Sequence, residues 1–336
     1  MVRKSLERAQ QDSPLEHIVP LPGFSRLPGL IKDRSGKGHK KIGLEMDILP
    51  VTFYRTYQGL FPHAGMVDIS ALIRRLRMVK SVHEISLIKM AASIADDLFE
   101  QIPRYLETAS TETELAIKAE AFYRGKGHPG TVRQRGFNTE IVYGHIMAGK
   151  SAAVASNSPG PTGGRGLGPF YSQGPGNERI EPHSPILVDY TSNTEGYLAD
   201  QARIFSIGKL HEKFHRAHDI MVQVHETLCE RGRTGVRVGD LYDTALEIVK
   251  KAGLEKGFMG HPDRVTFVGH GVGLELDEWP VIGQGNDTLL EQGMVIALEP
   301  KFVFPGQGVV GIENTLVVTA QGMKSLNRFP HAIVTC

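Results

Sequence analysis

ILVDYTSNTEGYLADQARIF, residues 186–205, reads as two apolar strands folded back on each other at the turn-like SNTEG. Centring the hairpin between Thr194 and Glu195 places Asp189 opposite Asp200 on one face, with Cβ atoms about 5 Å apart. Two like charges so placed destabilise a sheet unless a cation lies between them. The same design recurs in ALEPKFVFPGQGVVGIEN, residues 297–314. There Glu299 and Glu313 are symmetric about Gly306 in the turn PGQG, so they too face each other across an antiparallel pair. The flanking runs MVIAL and TLVV are apolar enough to be buried, and a buried carboxylate needs a partner.

Four converging carboxylates suit a hard divalent cation, and one imidazole would tilt the choice toward a transition metal. His270 supplies the imidazole in FVGHGVGLELDEWP, where the flanking glycines let the backbone pass close and leave the ring free to reach inward.

The rest of the chain supports a mixed architecture. Ser81 and Glu84 have capping-box spacing ahead of the helical run EISLIKMAASIADDLFEQIPRYLE, and Thr111 to Glu114 repeats the pattern before a helix that stops at Gly125. Further helices are expected over 211–232 and 239–253, and over DISALIRRLRMVKS. The first forty residues read as poorly ordered loop, with IGLEM and VTFYRTY after them as strands or strand edges. NSPGPTGGRGLGPFYSQGPG, residues 157–176, holds eleven Gly or Pro in twenty residues. It is a long surface loop or a rim over an active site.

Composition narrows the function classes. With 38 basic and 37 acidic residues among 336, the formal charge is +1, too balanced for a general nucleic-acid binder. The hydrophobic fraction of 40% is globular, and no run approaches the ~20 apolar residues of a membrane span. The N-terminal stretch lacks the apolar block of a secretory signal, and two cysteines, Cys229 and Cys336, make no disulfide framework. The cytoplasm is the expected compartment.

Asp189, Asp200 eleven residues on, His270 in GHGVGLEL, Glu299 in ALEP and Glu313 in GIENT together resemble the pita-bread metallopeptidases. That family includes methionine aminopeptidase, prolidase, aminopeptidase P and the non-peptidase creatinase. The resemblance covers roughly residues 79–336 and implies an α/β (α+β) fold, a curved antiparallel sheet covered by helices. Residues 1–78 then look like a partial creatinase-type N-terminal domain, of a kind that often makes homodimers. The resemblance also implies two divalent ions (manganese, cobalt, iron or zinc). Asp189 would bind one and His270 the other, Asp200 and Glu313 would bridge, and Glu299 would ligate while acting as general base. A hydroxide shared between the ions would attack a scissile amide, giving an Xaa-Pro aminopeptidase or dipeptidase acting on short peptides.

The sequence departs from the family at its helpers. The usual histidines are replaced by Ser156 and Asp277, and Gly311 stands where an arginine is common. His145 and His261 are candidate substitutes, His261 as a catalytic residue. Asp277 would favour a cationic group on the substrate, and Trp279 could add a cation–π face. These departures motivate an alternative, a small C–N hydrolase or onium lyase on the same fold. A non-catalytic binding module is a third reading, disfavoured by the intact ligand set.

Overall fold

A computed structural model describes residues 1–36, 39–136, 139, 141–156 and 160–336. The chain divides into two units, Met1–Arg74 and Arg75–Cys336.

The first unit contains helices α1 (Leu6–Asp12), α2 (Leu27–Ser35) and α3 (Val51–Leu60), with a parallel pair of strands, β1 (Lys41–Leu44) and β2 (Gly65–Asp68). Two expectations fail here. The first forty residues carry helices as well as loop, and VTFYRTY is helical. Its β-branched and aromatic residues suggest a strand by propensity, but tertiary packing overrides that preference. Phe53 and Tyr57, one helical turn apart, both set their rings 6.1 Å from that of Phe24. Helix α4 (Ser70–Met78) follows as expected.

In the second unit α5 (Val82–Leu106) starts at a complete capping box: the Ser81 hydroxyl accepts from the Glu84 amide while the Glu84 carboxylate accepts from the Ser81 amide. Thr111 caps α6 (Glu112–Gly125), although Glu114 reaches back to Ser110 and not to Thr111. Strand β3 (Gly144–Ala148) precedes the hairpin β4 (Ile186–Thr194) and β5 (Tyr197–Ser206). Helices α7 (Glu212–Arg231) and α8 (Val238–Lys251) follow, then β6 (Phe267–Gly271), β7 (Glu278–Gly283), β8 (Val295–Leu298), β9 (Lys301–Phe304), β10 (Gly308–Gly311), β11 (Asn314–Val318), β12 (Met323–Ser325) and β13 (Val334–Thr335).

One sheet runs β13-β5-β4-β3 and another β12-β11-β8-β6-β7, while β9 and β10 form a separate antiparallel ladder. The first two sheets are joined where Ala202 and Glu313 exchange backbone hydrogen bonds. Helices α5 and α6 cover one side through Phe99, Ile102, Leu115 and Tyr123 against Ile186, Val188 and Phe205. Helices α7 and α8 pack Met221, Leu228, Leu241 and Ala245 into a second core with Leu187, Ala202, Ile204, Ile296 and Leu316. Successive residues of β4 and β5 therefore enter different cores, so both strands are buried on both faces.

That alternation places the acids. Asp189 shares the face of Leu187, and Asp200 shares the face of Ala202 and Ile204. The register differs from expectation by one step of the turn. Thr194 pairs with Tyr197 around a two-residue turn in which Glu195 (φ 51°) and Gly196 (φ 89°) both lie in the left-handed region. Two positive-φ central residues make the turn that matches strand twist, and glycine belongs in the second place. The hairpin centre thus moves one residue along, Asp189 pairs with Ala202 and Asp200 with Thr191. A one-residue move of the centre shifts partners by two and keeps every side chain on its face. The acids become diagonal neighbours.

The second hairpin keeps the expected register. Phe304 pairs with Gly308 and Lys301 with Gly311, and Leu298 pairs with Asn314 beyond, all symmetric about Gly306.

Candidate metal centre

Five candidate side chains converge on one cleft of the second unit. Asp189, Asp200, His270, Glu299 and Glu313 all line it, with Asp277 on its wall. Each is delivered by a strand or strand end. His270 sits on β6 beside Ala297 of β8, and Glu299, just past β8, donates its backbone N–H to Val268 at 2.9 Å. Glu313 is held against Ala202 by the backbone pair that joins the sheets. Asp200 is fixed by Thr191, whose hydroxyl donates to its carboxylate at 3.1 Å, and by Thr315, which brackets its backbone.

The His270 Nδ1 lies 3.1 Å from the Gly271 carbonyl, so a proton there leaves Nε2 as the free lone pair. Nε2 faces Asp277 at 3.6 Å and Glu299 Oε1 at 3.7 Å. Asp200, His270 and Glu313 each offer a ligand atom within 4.8 Å of the others, and all three are buried. Two carboxylates and an imidazole in that arrangement fit one divalent transition ion.

The electrostatics agree with a cation-hungry pocket. Burial, then the nearby Asp189, pushes the Asp200 carboxyl up to about 7. Glu313 is raised well above the ordinary range by burial and by Asp200. Burial disfavours charge on His270, but Asp277, Glu299 and Asp200 outweigh it and raise the imidazole.

Sequence reasoning overlooked the residue at the middle of the cluster. The Lys301 ammonium lies 2.7 Å from Asp189, 2.7 Å from Glu299 and 2.8 Å from Glu313. Only 2% of its side chain is exposed. Lys301 lies only two residues beyond Glu299, but across the break at 299–300 that separates β8 from β9, so strand alternation does not carry from one to the other.

The remaining expectations divide. Asp277 is at the cleft as expected, in the left-handed region (φ 59°) and receiving a hydrogen bond from Gln134. His261 is not among the cleft-lining residues, whereas His145 is. The reason is the sheet: β3 pairs with β4 so that His145 stands opposite Asp189. Burial lowers the His145 pKa, keeping it neutral. Trp279 packs against the α7–α8 core and is not among the cleft-lining residues. In the Gly/Pro segment, 157–159 lie outside the described residues, and Gly160, Pro161 and Thr162 line the cleft as a rim. Glu112 anchors the far end of that segment: its buried carboxylate accepts from the amides of Ala148 (2.7 Å) and Gly176 (2.9 Å).

Residues 86–320 match Metallopeptidase family M24, and residues 1–79 match the Creatinase/Prolidase N-terminal domain. An Xaa-Pro dipeptidase from Lactobacillus helveticus is 30% identical over 283 residues, 84% of this chain and 69% of that protein. One from Pyrococcus furiosus is 30% identical over 322 residues, 96% of this chain and 82% of that protein. Among solved structures, an X-Pro aminopeptidase from Thermotoga maritima superposes with a TM-score of 0.81 at 24% identity, covering 98% of this chain and 85% of that one. Prolidase from Pyrococcus furiosus gives 0.76 at 25% identity, covering 98% and 86%. The fold is the pita-bread fold.

Proposed function

This chain belongs to metallopeptidase family M24, and on that premise we propose that it is a metal-dependent hydrolase of the Xaa-Pro dipeptidase type. The observation that carries the reading is the convergence of Asp200, Glu313 and the open Nε2 of His270, with Glu299 Oε1 facing that nitrogen. A divalent ion held there (manganese, cobalt, iron or zinc) would supply Lewis acidity toward the scissile carbonyl and acidify the attacking water.

The chain's own groups do the rest. Glu299 is the general base: its Oε1 faces the cleft while Oε2 is held by Lys301, so the carboxylate is oriented before substrate arrives. Neutral His145, opposite Asp189, takes a hydrogen-bonding role toward the substrate that the sequence comparison left without a histidine. Asp277, fixed by Gln134, presents a carboxylate to the α-ammonium of a short peptide. The rim Gly160–Thr162 borders the space such a peptide would enter.

We read residues 1–78 as a partial creatinase-type domain through which two chains pair, and residues 79–336 as the metallohydrolase domain. A cytoplasmic setting is supported by the free Cys229 and Cys336. No helix among the described residues is long and apolar enough to cross a membrane. Size-exclusion chromatography with light scattering tests the homodimer: a monomer mass across micromolar concentrations would reject it.

The deciding experiment is a substrate panel on metal-free protein with Mn²⁺, Co²⁺, Fe²⁺ or Zn²⁺ restored. Turnover of Xaa-Pro dipeptides is expected. Turnover confined to small amides or onium compounds would replace the peptidase reading with the alternative that Asp277 and Ser156 suggest. Glu299→Gln should lower kcat by about 10³-fold, as loss of a general base typically does. Full activity in that variant would remove Glu299 from the role.

A further inference from the structure

The Lys301 ammonium occupies a position from which a metal ion is excluded. Its nitrogen is 2.7–2.8 Å from one oxygen each of Asp189, Glu299 and Glu313, so its three N–H donors have three carboxyl acceptors. A transition ion would sit about 2.0–2.2 Å from such oxygens, inside the same small volume. The two cannot share it. The outer part of the lysine is also accommodated by the chain. Lys301 is the cross-strand partner of Gly311, and a Cβ at Gly311 would stand 3.0 Å from Lys301 Cγ and 2.8 Å from its Cα. The stem of Lys301 therefore runs over a position that has no side chain. On the other side of the cluster, Asp200, His270 and Glu313 keep their 4.8 Å grouping, and of the three only Glu313, through Oε2, also contacts the ammonium at 2.8 Å.

We propose that this centre holds a single divalent ion, at Asp200, His270 and Glu313 with Glu299 Oε1 beside it, and that the Lys301 ammonium is the resident cation in place of a second. Five carboxylates line the cleft, Asp189, Asp200, Asp277, Glu299 and Glu313, and the ammonium already pairs with three of them. A second ion would have to expel the ammonium from a pocket in which every donor is paired. Lys301 thus acts as a positioning residue, holding Asp189 and Glu299 Oε2 as an ion would and leaving Glu299 Oε1 turned to the occupied side.

The inference rests on the reading of this cluster as a metal centre, and metal counting separates the two. Metal-free protein is titrated with Mn²⁺ by calorimetry, and the bound metal is counted by mass spectrometry after gel filtration. One ion per chain is expected for the wild type and two for Lys301→Gly, which reopens the second position. Two ions in the wild type, none in the wild type, or one in both proteins would each overturn the proposal. Should the variant fail to fold, lysine-selective acylation decides it on the wild type alone. Lys301 should stay unmodified at saturating Mn²⁺, and its labelling there would show expulsion by a second ion. One ion bound without peptide turnover would sink the hydrolase reading and leave this one standing. Two ions bound with Xaa-Pro turnover would do the reverse.

Discussion

Lys301 and Arg203 are both fully buried cations in the same unit, and they are neutralised in opposite ways. Lys301 is surrounded by three carboxylates. Arg203 spends its five N–H groups on neutral acceptors: the carbonyls of Ala202, Glu313, Phe329 and Pro330, and the Asn314 amide oxygen, all at 2.7–2.8 Å. A guanidinium fork saturated by dipoles is a fastener. It clamps the backbone of Glu313, and residues 329–330, to β5 from behind the cleft. Burial lowers Arg203 to about 9, still charged at neutral pH. An ammonium among carboxylates is different, because the same oxygens are metal ligands in kind. Arg203 holds the frame that carries Glu313. Lys301 competes for what the frame presents.

The contrast breaks most visibly if Arg203 is removed. Arg203→Met should cost about 3–5 kcal/mol, because several buried carbonyls lose their donors at once. Added Mn²⁺ should recover little of that, since the lost contacts are not ligands. Thermal unfolding with and without metal measures this, and full recovery by Mn²⁺ would erase the distinction between the two cations. On the Lys301 side, His145→Ala should reduce kcat by about 10²-fold, the low end for a group assisting proton transfer or charge stabilisation, with unchanged melting temperature. A change in melting temperature with kcat intact would make His145 a packing residue.

A smaller effect tests the Arg203 side by pH. His225 accepts from Asn314, the amide that also receives Arg203, and its pKa falls from 6.5 to about 3 through burial, His331 and Arg203. Its folded pKa lies below the unfolded one, so the unfolded chain binds the extra proton between these values. Stability should therefore fall as pH drops from about 6.5 toward 3, by about 2 kcal/mol at pH 5 from this group. His225→Gln should flatten that slope in denaturant melts across pH 4–7, and an unchanged slope would assign it to other groups.

How much was legible can be judged from particular residues. The capping box at Ser81 and the stop at Gly125 were readable because helix ends depend on local hydrogen bonds. The β9–β10 register was readable because PGQG allows one tight turn, with Gly306 at φ 68°. The β4–β5 register was missed by one turn step, since SNTEG offers two centres and only the twist-matched one, with Gly196 second, suits the strands. Helix α3 was missed because Phe24, distant in sequence, supplies the surface it packs on. His261 was preferred to His145 because nothing local to either shows that β3 lies beside Asp189.

By itself, the sequence determined which side chains share a face: strand alternation keeps Asp189 with Leu187 and Asp200 with Ala202 whatever the register. It also determined the order of the five candidate ligands along the chain. Only the tertiary structure decided what meets across strands: His145 against Asp189, Arg203 behind Glu313, and the Lys301 amine among three carboxylates. Face is a property of neighbouring residues, set by backbone geometry. Contact between strands far apart in sequence depends on how the sheets are joined, and a buried charge shows its role only once its counter-charges are in place.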